Sequence, residues 1–230
     1  SSQDVAVLES MVEAGFDVVR LNFSHGAFAE HQQVVERIRA IAKKLEKQVG
    51  IIVDLQGPKI RIGKFKTGHI QLVAGQKFII DHHFSQDQGD QEHVSVDYQN
   101  LAEDVREGDF LLLNDGLISV KVEQIQGTQV ITRCVVGGEL KSNKGINVRG
   151  GGLSASALTE KDIQDLEYGC KLGADYIALS FVKQAQDIHY AKELIQSHEG
   201  HAGVIAKIER KEALDQLDSI IAASAGVMVA

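Results

Sequence analysis

The sequence predicts an α/β fold in which a parallel sheet is interrupted by a small all-β domain. Three observations carry that reading. Short, continuous apolar runs such as Phe16 to Phe23 and Ile51-Ile52-Val53 alternate with amphipathic helices, as in a parallel sheet covered by helices. Between Pro58 and about Leu153 the texture changes to alternating apolar and polar residues separated by turns rich in Gly, Asp and Asn. After Gly150-Gly151-Gly152 the α/β rhythm returns.

Taken in order, Val5 to Glu13 has apolar residues at helical spacing, and Gly15 stops that helix in the usual C-terminal way. The strand from Phe16 to Phe23 follows, then a helix from about Ala29 to Lys47 with Val34, Val35, Ile38, Ile41, Ala42 and Leu45 on one stripe. Ile51 to Val53 is the second parallel strand. In the insert, Ile70 to Val73, Lys77 to Ile80, Phe110 to Leu113, Ile118 to Val122 and Val130 to Thr132 read as five antiparallel strands of a small barrel or sandwich. Thr159 with Asp162 three residues on predicts a capped helix running to Lys171. Strands at Tyr176 to Phe181, Val204 to Ile208 and Val227 to Val229 alternate with helices near Ile188 to Ser197 and Glu212 to Ala223. Five parallel strands result, two before the insert and three after.

Composition narrows the class. With 230 residues, 43% hydrophobic and 24% charged, the chain has the make-up of a globular protein. A net charge of -8 without a basic patch argues against nucleic acid as a partner. Lys43, Lys44 and Lys47 share a helix with Glu36 and Glu46 and read as a solvated face. No stretch reaches the roughly 18 apolar residues of a membrane span, and no signal peptide opens the chain. Cys134 and Cys170 stand in no metal or redox spacing and suit a reducing compartment. Ser1 in place of an initiator Met points to a trimmed chain.

Three strings place polar side chains at the ends of apolar strands: Arg20-Leu21-Asn22-Phe23-Ser24-His25-Gly26, Asp54-Leu55-Gln56-Gly57-Pro58-Lys59-Ile60-Arg61 and Ala206-Lys207-Ile208-Glu209. Strand alternation puts Arg20, Asn22 and Ser24 on one side, and Lys207 and Glu209 on one side. A carboxylate is a hard oxygen ligand for Mg²⁺, and an ammonium beside it can stabilise charge on a transferring phosphoryl group or an enolate. A surface ion pair is the plainer reading of Lys-x-Glu. Arg20 offers a planar fork suited to phosphate, with Asn22, Ser24 and Asp54 as oxygen ligands nearby; a buried Arg-Asp ion pair is the alternative.

Together the three strings resemble pyruvate kinase, and the resemblance runs the length of the chain. It implies a partial TIM (β/α)8 barrel, with five of the eight strands, and a mobile all-β lid inserted into it. Residues 1–57 would form the first part of the barrel, 58–153 the lid, and 154–230 the continuation. It implies phosphoryl transfer from phosphoenolpyruvate to ADP, giving pyruvate and ATP, in a cytoplasmic homotetramer that touches neither nucleic acid nor membrane. Lys207 and Arg20 are the implied catalytic residues, and Arg20, Lys207 and Ser180 line the substrate. Asn22, His25, Arg61, Lys144 and Asp115 approach the nucleotide. Glu209 holds Mg²⁺ or Mn²⁺, and Asn22, Ser24, Asp54 and Leu55 form the monovalent-cation position, usually filled by K⁺.

The chain departs from the family pattern in several places. Many members read Asp-Thr-Lys-Gly-Pro-Glu where this chain has Asp54-Leu55-Gln56-Gly57-Pro58-Lys59; members with that Lys are understood to be potassium-independent, and a tethered ammonium can supply the ion's charge. Lys59 is therefore expected to make K⁺ dispensable. Gly151-Gly152-Leu153-Ser154-Ala155, with no Pro, resembles one bacterial type, generally linked to sugar-phosphate or AMP activation. Ala225 replaces a usual Asp, with an expected stability cost. The family's second metal carboxylate lies in an Arg-Gly-Asp-Leu string directly after Met-Val-Ala, and here the chain stops at Met228-Val229-Ala230. Family chains also begin with a strand before Ser1 and continue into a C-terminal domain, so an incomplete, inactive piece is the expectation.

Asn114-Asp115-Gly116 and Asn143-Lys144-Gly145 are also plain hairpin-turn strings. His82, His83 and His93 fit no zinc spacing and read as histidines of a lid loop. Two rival functions remain open: an Mg²⁺-dependent barrel aldolase of the phosphoenolpyruvate/pyruvate group, against which the insert speaks, and a non-catalytic nucleotide-binding fragment.

Overall fold

The computed structural model describes residues 4–229. Ser1 and Ala230, the ends at which truncation is expected, lie outside that range. The chain divides into two compact units, one running to Pro58 and resuming at Ser156, the other Lys59–Ala155.

The first unit opens with α1 (Val5–Glu13), whose N-cap Asp4 accepts from the Ala6 and Val7 amides. Gly15, at φ +96°, lets the chain reverse where a side chain would be strained. Then come β1 (Val18–Asn22), α2 (Phe28–Lys44) and β2 (Gly50–Asp54). The long helix stops at Lys44, short of Lys47, because Glu46 turns left-handed at φ 52°.

In the second unit lie β3 (His69–Leu72), β4 (Lys77–Asp81), β5 (His93–Val94), α3 (Leu101–Asp104), β6 (Phe110–Leu113), β7 (Ile118–Gln126), β8 (Gln129–Val136), β9 (Gly138–Lys141) and β10 (Ile146–Val148). The five strands expected here are present but three more join them, and β4 pairs with β5 in parallel. The additional strands are two to four residues long, too short to show a period of their own. One sheet runs β10-β6-β7-β8-β4-β5 and a second pairs β3 with β9. Their inner faces enclose a core of Phe78, Ile80, Leu111, Leu113, Val120, Val130 and Leu140.

The first unit resumes with α4 (Glu160–Lys171), β11 (Tyr176–Leu179), α5 (Ala185–Ser197), β12 (Gly203–Ile208), α6 (Glu212–Asp215), α7 (Leu217–Ala223) and β13 (Gly226–Val229). The last helix expected from sequence is thus two, broken at Gln216. β11 ends at Leu179, so Ser180 and Phe181 follow the strand instead of ending it. Ala225, exposed, donates its amide to the Val204 carbonyl at 2.8 Å, and nothing else in the structure accounts for the residue.

The parallel strands form one curled α/β sheet in the order β1-β2-β11-β12-β13, part of a (β/α) barrel. Its core-forming face carries Val19, Leu21, Ile51, Val53, Ile177, Leu179, Val204 and Ala206, packed with Val34, Ile38, Ile41, Leu166, Ile188 and Ile220 of the helices. Each alternate residue points to the opposite face, where Arg20, Asn22, Asp54 and Lys207 collect. Among the described residues no helix is long and apolar enough to cross a membrane. Cys134 is buried and Cys170 half-buried, and burial raises both thiols above their usual range, with the Glu167 carboxylate adding to the effect at Cys170.

Candidate functional site

Strand register builds the site. Asn22 pairs with Asp54, Asp54 with Ala178, and Ala178 with Ile205, so Lys207 stands two residues nearer the strand ends on the same face. Asp54 is 1% exposed and Lys207 8% exposed, and a buried charge of either sign needs a partner. Each has more than one.

Arg20 Nε donates to Asp54 Oδ2 at 2.7 Å, and its Nη2 contacts the same oxygen. The ion pair read as the alternative for Arg20 is therefore formed. It leaves 52% of the arginine side chain exposed, with Nη1 turned to neither carboxylate oxygen. Lys207 Nζ donates to Ser180 Oγ at 2.7 Å and lies 3.2 Å from Asp54 Oδ1 and 3.3 Å from Glu209 Oε1. The contact with Asp54 Oδ1 is close in distance but not aligned as a hydrogen bond, so that buried oxygen keeps its lone pairs for a cation. Ser180, 1% exposed, donates to the Leu55 carbonyl at 2.7 Å.

Glu209 lies one residue beyond β12. Its Oε2 accepts the Phe181 amide at 3.0 Å, which Phe181 presents from a left-handed conformation at φ 56°. A bulky residue there is strained, and no sequence signal announces it. Gly57, at φ 68°, lies so close to this segment that a Cβ would stand 2.8 Å from both Ser180 and the Phe181 ring. The Gly57 amide donates to Asp162 Oδ1 at 2.9 Å, and Asp162, 0% exposed, also accepts from the Thr159 amide at 2.9 Å. The capping pair at Thr159 is present, and its carboxylate has this second duty, which the sequence did not reveal.

The remaining barrel residues are less concentrated. Asn22 Oδ1 accepts the Ser24 amide at 3.0 Å, which turns it into its own loop. His25 is exposed, and its carbonyl is held by His31 Nε2 at 2.9 Å. Lys161 donates to the Phe23 carbonyl at 3.0 Å and to Asp165 Oδ2 at 2.5 Å, tying α4 to the end of β1.

In the second unit, Arg61 bridges to Gly145, the Ile62 amide reaches the Lys144 carbonyl at 2.9 Å, and the Asn114 amide reaches the Gly145 carbonyl at 3.2 Å. These bonds gather Arg61, Lys144 and the Asn114-Asp115-Gly116 turn at one end of the unit. Asn114 and Asp115 take φ 51° and 57°, so the hairpin-turn reading holds for that string. Arg61 Nε is buried without a partner, which leaves a donor for a ligand. Its amide donates to Asp97 Oδ1 at 2.7 Å, while burial lifts the Asp97 carboxyl above the usual range. Lys59 is exposed. Among the described residues no three His, Cys, Asp or Glu side chains form a metal cluster; His82 and His83 lie ring to ring at 4.1 Å and His93 stacks on Phe84 at 5.5 Å.

The quartet of Arg20, Lys207, Asp54 and Glu209 carries two positive and two negative charges. An incoming phosphate ester would bring net negative charge next to the buried Asp54 carboxylate, which favours additional cations. The free lone pairs are carboxylate oxygens on Asp54 and Glu209, the hard donors that Mg²⁺ and monovalent metals take. The donor set therefore fits both kinds of ion.

The family model described as "Pyruvate kinase, barrel domain" matches residues 1–230. "Pyruvate kinase" of Haemophilus influenzae is 49% identical over 226 residues, 97% of this chain and 47% of that protein. "Pyruvate kinase II" of Salmonella typhimurium is 48% identical over the same shares. "Pyruvate kinase" of Staphylococcus aureus is 38% identical over 232 residues, 100% of this chain and 39% of that protein. The chain spans about half the length, or less, of the curated relatives it matches.

Proposed function

The chain belongs to the pyruvate kinase family, and on that premise we propose that a protein carrying it through the length of its relatives transfers the phosphoryl group of phosphoenolpyruvate to ADP. A terminal phosphate oxygen of ADP forms the new P–O bond. The bond between phosphorus and the enol oxygen breaks, and the enolate that departs takes up a proton to become pyruvate. The observation that carries the proposal is the Lys207 ammonium, held between Ser180, Asp54 and Glu209 at the carboxyl end of a parallel sheet.

Each residue has a task in this scheme. Arg20, braced by Asp54 along one edge, presents its free edge to the substrate phosphate. Lys207 stabilises charge on the transferring group and then on the enolate. Glu209, oriented by the Phe181 amide, would hold the divalent ion, Mg²⁺ or Mn²⁺; that ion supplies positive charge shared by both substrates when bound. Asp54, with Asn22, Ser24 and the Leu55 carbonyl, would face the monovalent position. Lys59 offers an ammonium in place of K⁺. Arg61, Lys144, Asp115, Asn22 and His25 are assigned to the nucleotide, and the second unit to a closing lid hinged at Pro58 and Gly150 to Gly152. The proposal includes a cytoplasmic homotetramer, and the two free cysteines support a reducing compartment.

The test is pyruvate and ATP formation from phosphoenolpyruvate, ADP and Mg²⁺ by the full-length protein, with and without K⁺. Turnover in K⁺-free buffer within about threefold of that with K⁺ is expected from the tethered charge. Strict dependence on K⁺ would remove the role of Lys59, and silence under both conditions would remove the function.

A further inference from the structure

The family resemblance places Ser180 only among the residues that line the substrate, and its hydrogen bonds point to a different task. A carbonyl oxygen can only accept and an ammonium can only donate. Between the Leu55 carbonyl and Lys207 Nζ, each 2.7 Å away, the Ser180 hydroxyl has one possible orientation: its hydrogen goes to Leu55 and its lone pair receives Lys207. The hydroxyl is 1% exposed and its only hydrogen is spent, so it has no donor left for a substrate.

Lys207 has three N–H groups on a flexible four-carbon stem. Its shortest polar contact is the neutral one, to Ser180, whereas the two carboxylates that attract it stand farther off, at 3.2 and 3.3 Å. Without Ser180, Coulomb attraction would draw the ammonium onto one of its two carboxylates, Asp54 or Glu209. The neighbouring residue works on the other partner, because the Phe181 amide holds Glu209 Oε2. Gly57, with no Cβ, allows both residues to pack this close.

We propose that Ser180 is a positioning residue that, anchored on the Leu55 carbonyl, holds the Lys207 ammonium out of its carboxylate partners and aimed at the transferring phosphoryl group. This inference rests on the phosphotransfer reading and adds to it a residue that acts through Lys207 without touching substrate.

The test uses the full-length protein with Ser180→Ala and Ser180→Thr, read by steady-state kinetics, thermal unfolding and a crystal structure of Ser180→Ala. The relay predicts that Ser180→Ala lowers kcat by roughly 30-fold to 100-fold, the scale of a 1 Å misplacement, while KM for phosphoenolpyruvate stays within about threefold. The alanine variant should stay folded but unfold at a somewhat lower temperature, because the buried Leu55 carbonyl loses its donor; Ser180→Thr should restore most of kcat, and in the alanine variant Nζ should close on one of the carboxylates. A kcat within about threefold of wild type, or a loss carried by KM as for a substrate contact, would overturn the proposal. Should the alanine variant fail to fold, Ser180→Cys, a weaker acceptor of similar size, is expected to show the same pattern at smaller amplitude, and an unchanged kcat there would overturn the proposal. An inactive wild type would sink the phosphotransfer reading alone, and Nζ would then decide for the relay if displaced and against it if unmoved.

Discussion

At the scale of single residues, the account turns on how the buried Asp54 and Lys207 share their charges with the partly exposed Arg20 and Glu209. Asp54 is the keystone, since its two oxygens face Arg20 and Lys207 separately. Asp54→Ala would leave Lys207 with Glu209 as its one carboxylate partner and release Arg20 altogether. A loss of about 3 kcal/mol in urea unfolding is expected, the usual scale for removing one member of a buried pair. A change below about 1 kcal/mol would mean that the charges are better solvated than their burial implies. The sequence already held part of this site: alternation alone put Lys207 and Glu209 on one side of a strand, and their side chains meet at 3.3 Å. It did not hold the Phe181 amide or the Ser180 hydroxyl. Those contacts depend on a left-handed residue just past a strand end, and nothing in a phenylalanine advertises a positive φ.

At the scale of elements, α4 does more than cover the sheet. Asp162 caps its first turn and fastens the Gly57 amide across the fold, so Asp162→Ala removes an N-terminal cap partner and orphans a buried donor. A destabilisation of about 3 kcal/mol is expected, about 1 from the cap and the rest from the stranded N–H groups. A loss no larger than a cap alone would show that Gly57 finds another acceptor. Asp165, 1% exposed, has its carboxyl raised chiefly by burial, against the opposing pull of Lys161, with Asp162 raising it further and His31 lowering it. A carboxyl whose folded pKa is raised contributes stability below its unfolded pKa of 3.8 and loses it as pH climbs through the folded value. Asp165→Asn should therefore gain on wild type as pH rises from about 3 to neutrality. Urea unfolding across that range checks the trend, and a gap that narrows with pH would contradict the assigned direction. The helix, its cap and its boundaries were legible because Thr-x-x-Asp and a 3.6-residue stripe are strong local signals. The short strands β5, β9 and β10 were not, since pairing with distant partners, instead of any local pattern, makes them strands.

At the scale of the molecule, the change of texture at Pro58 and the return of helices after Gly152 foretold two folding patterns in one chain, and each unit has its own core. The five parallel strands were legible as continuous apolar runs. Their curl into part of a barrel was not, and came from family resemblance. The same limit applied to the site, where residue types suggested anion and metal chemistry but only the fold brought Arg20, Asp54, Ser180, Lys207 and Glu209 together. Lys207 is the residue on which every step of the proposed transfer depends. The most direct measurement compares phosphoenolpyruvate-dependent ATP formation by the full-length protein with that of Lys207→Met, a substitution that keeps the length of the stem and removes the charge. The account predicts a fall in kcat of at least about a thousandfold with the fold intact, the upper range for losing one preorganised donor to a developing anion. A folded Lys207→Met protein that keeps a tenth or more of wild-type turnover, on the order of one tenfold step in rate, would contradict it.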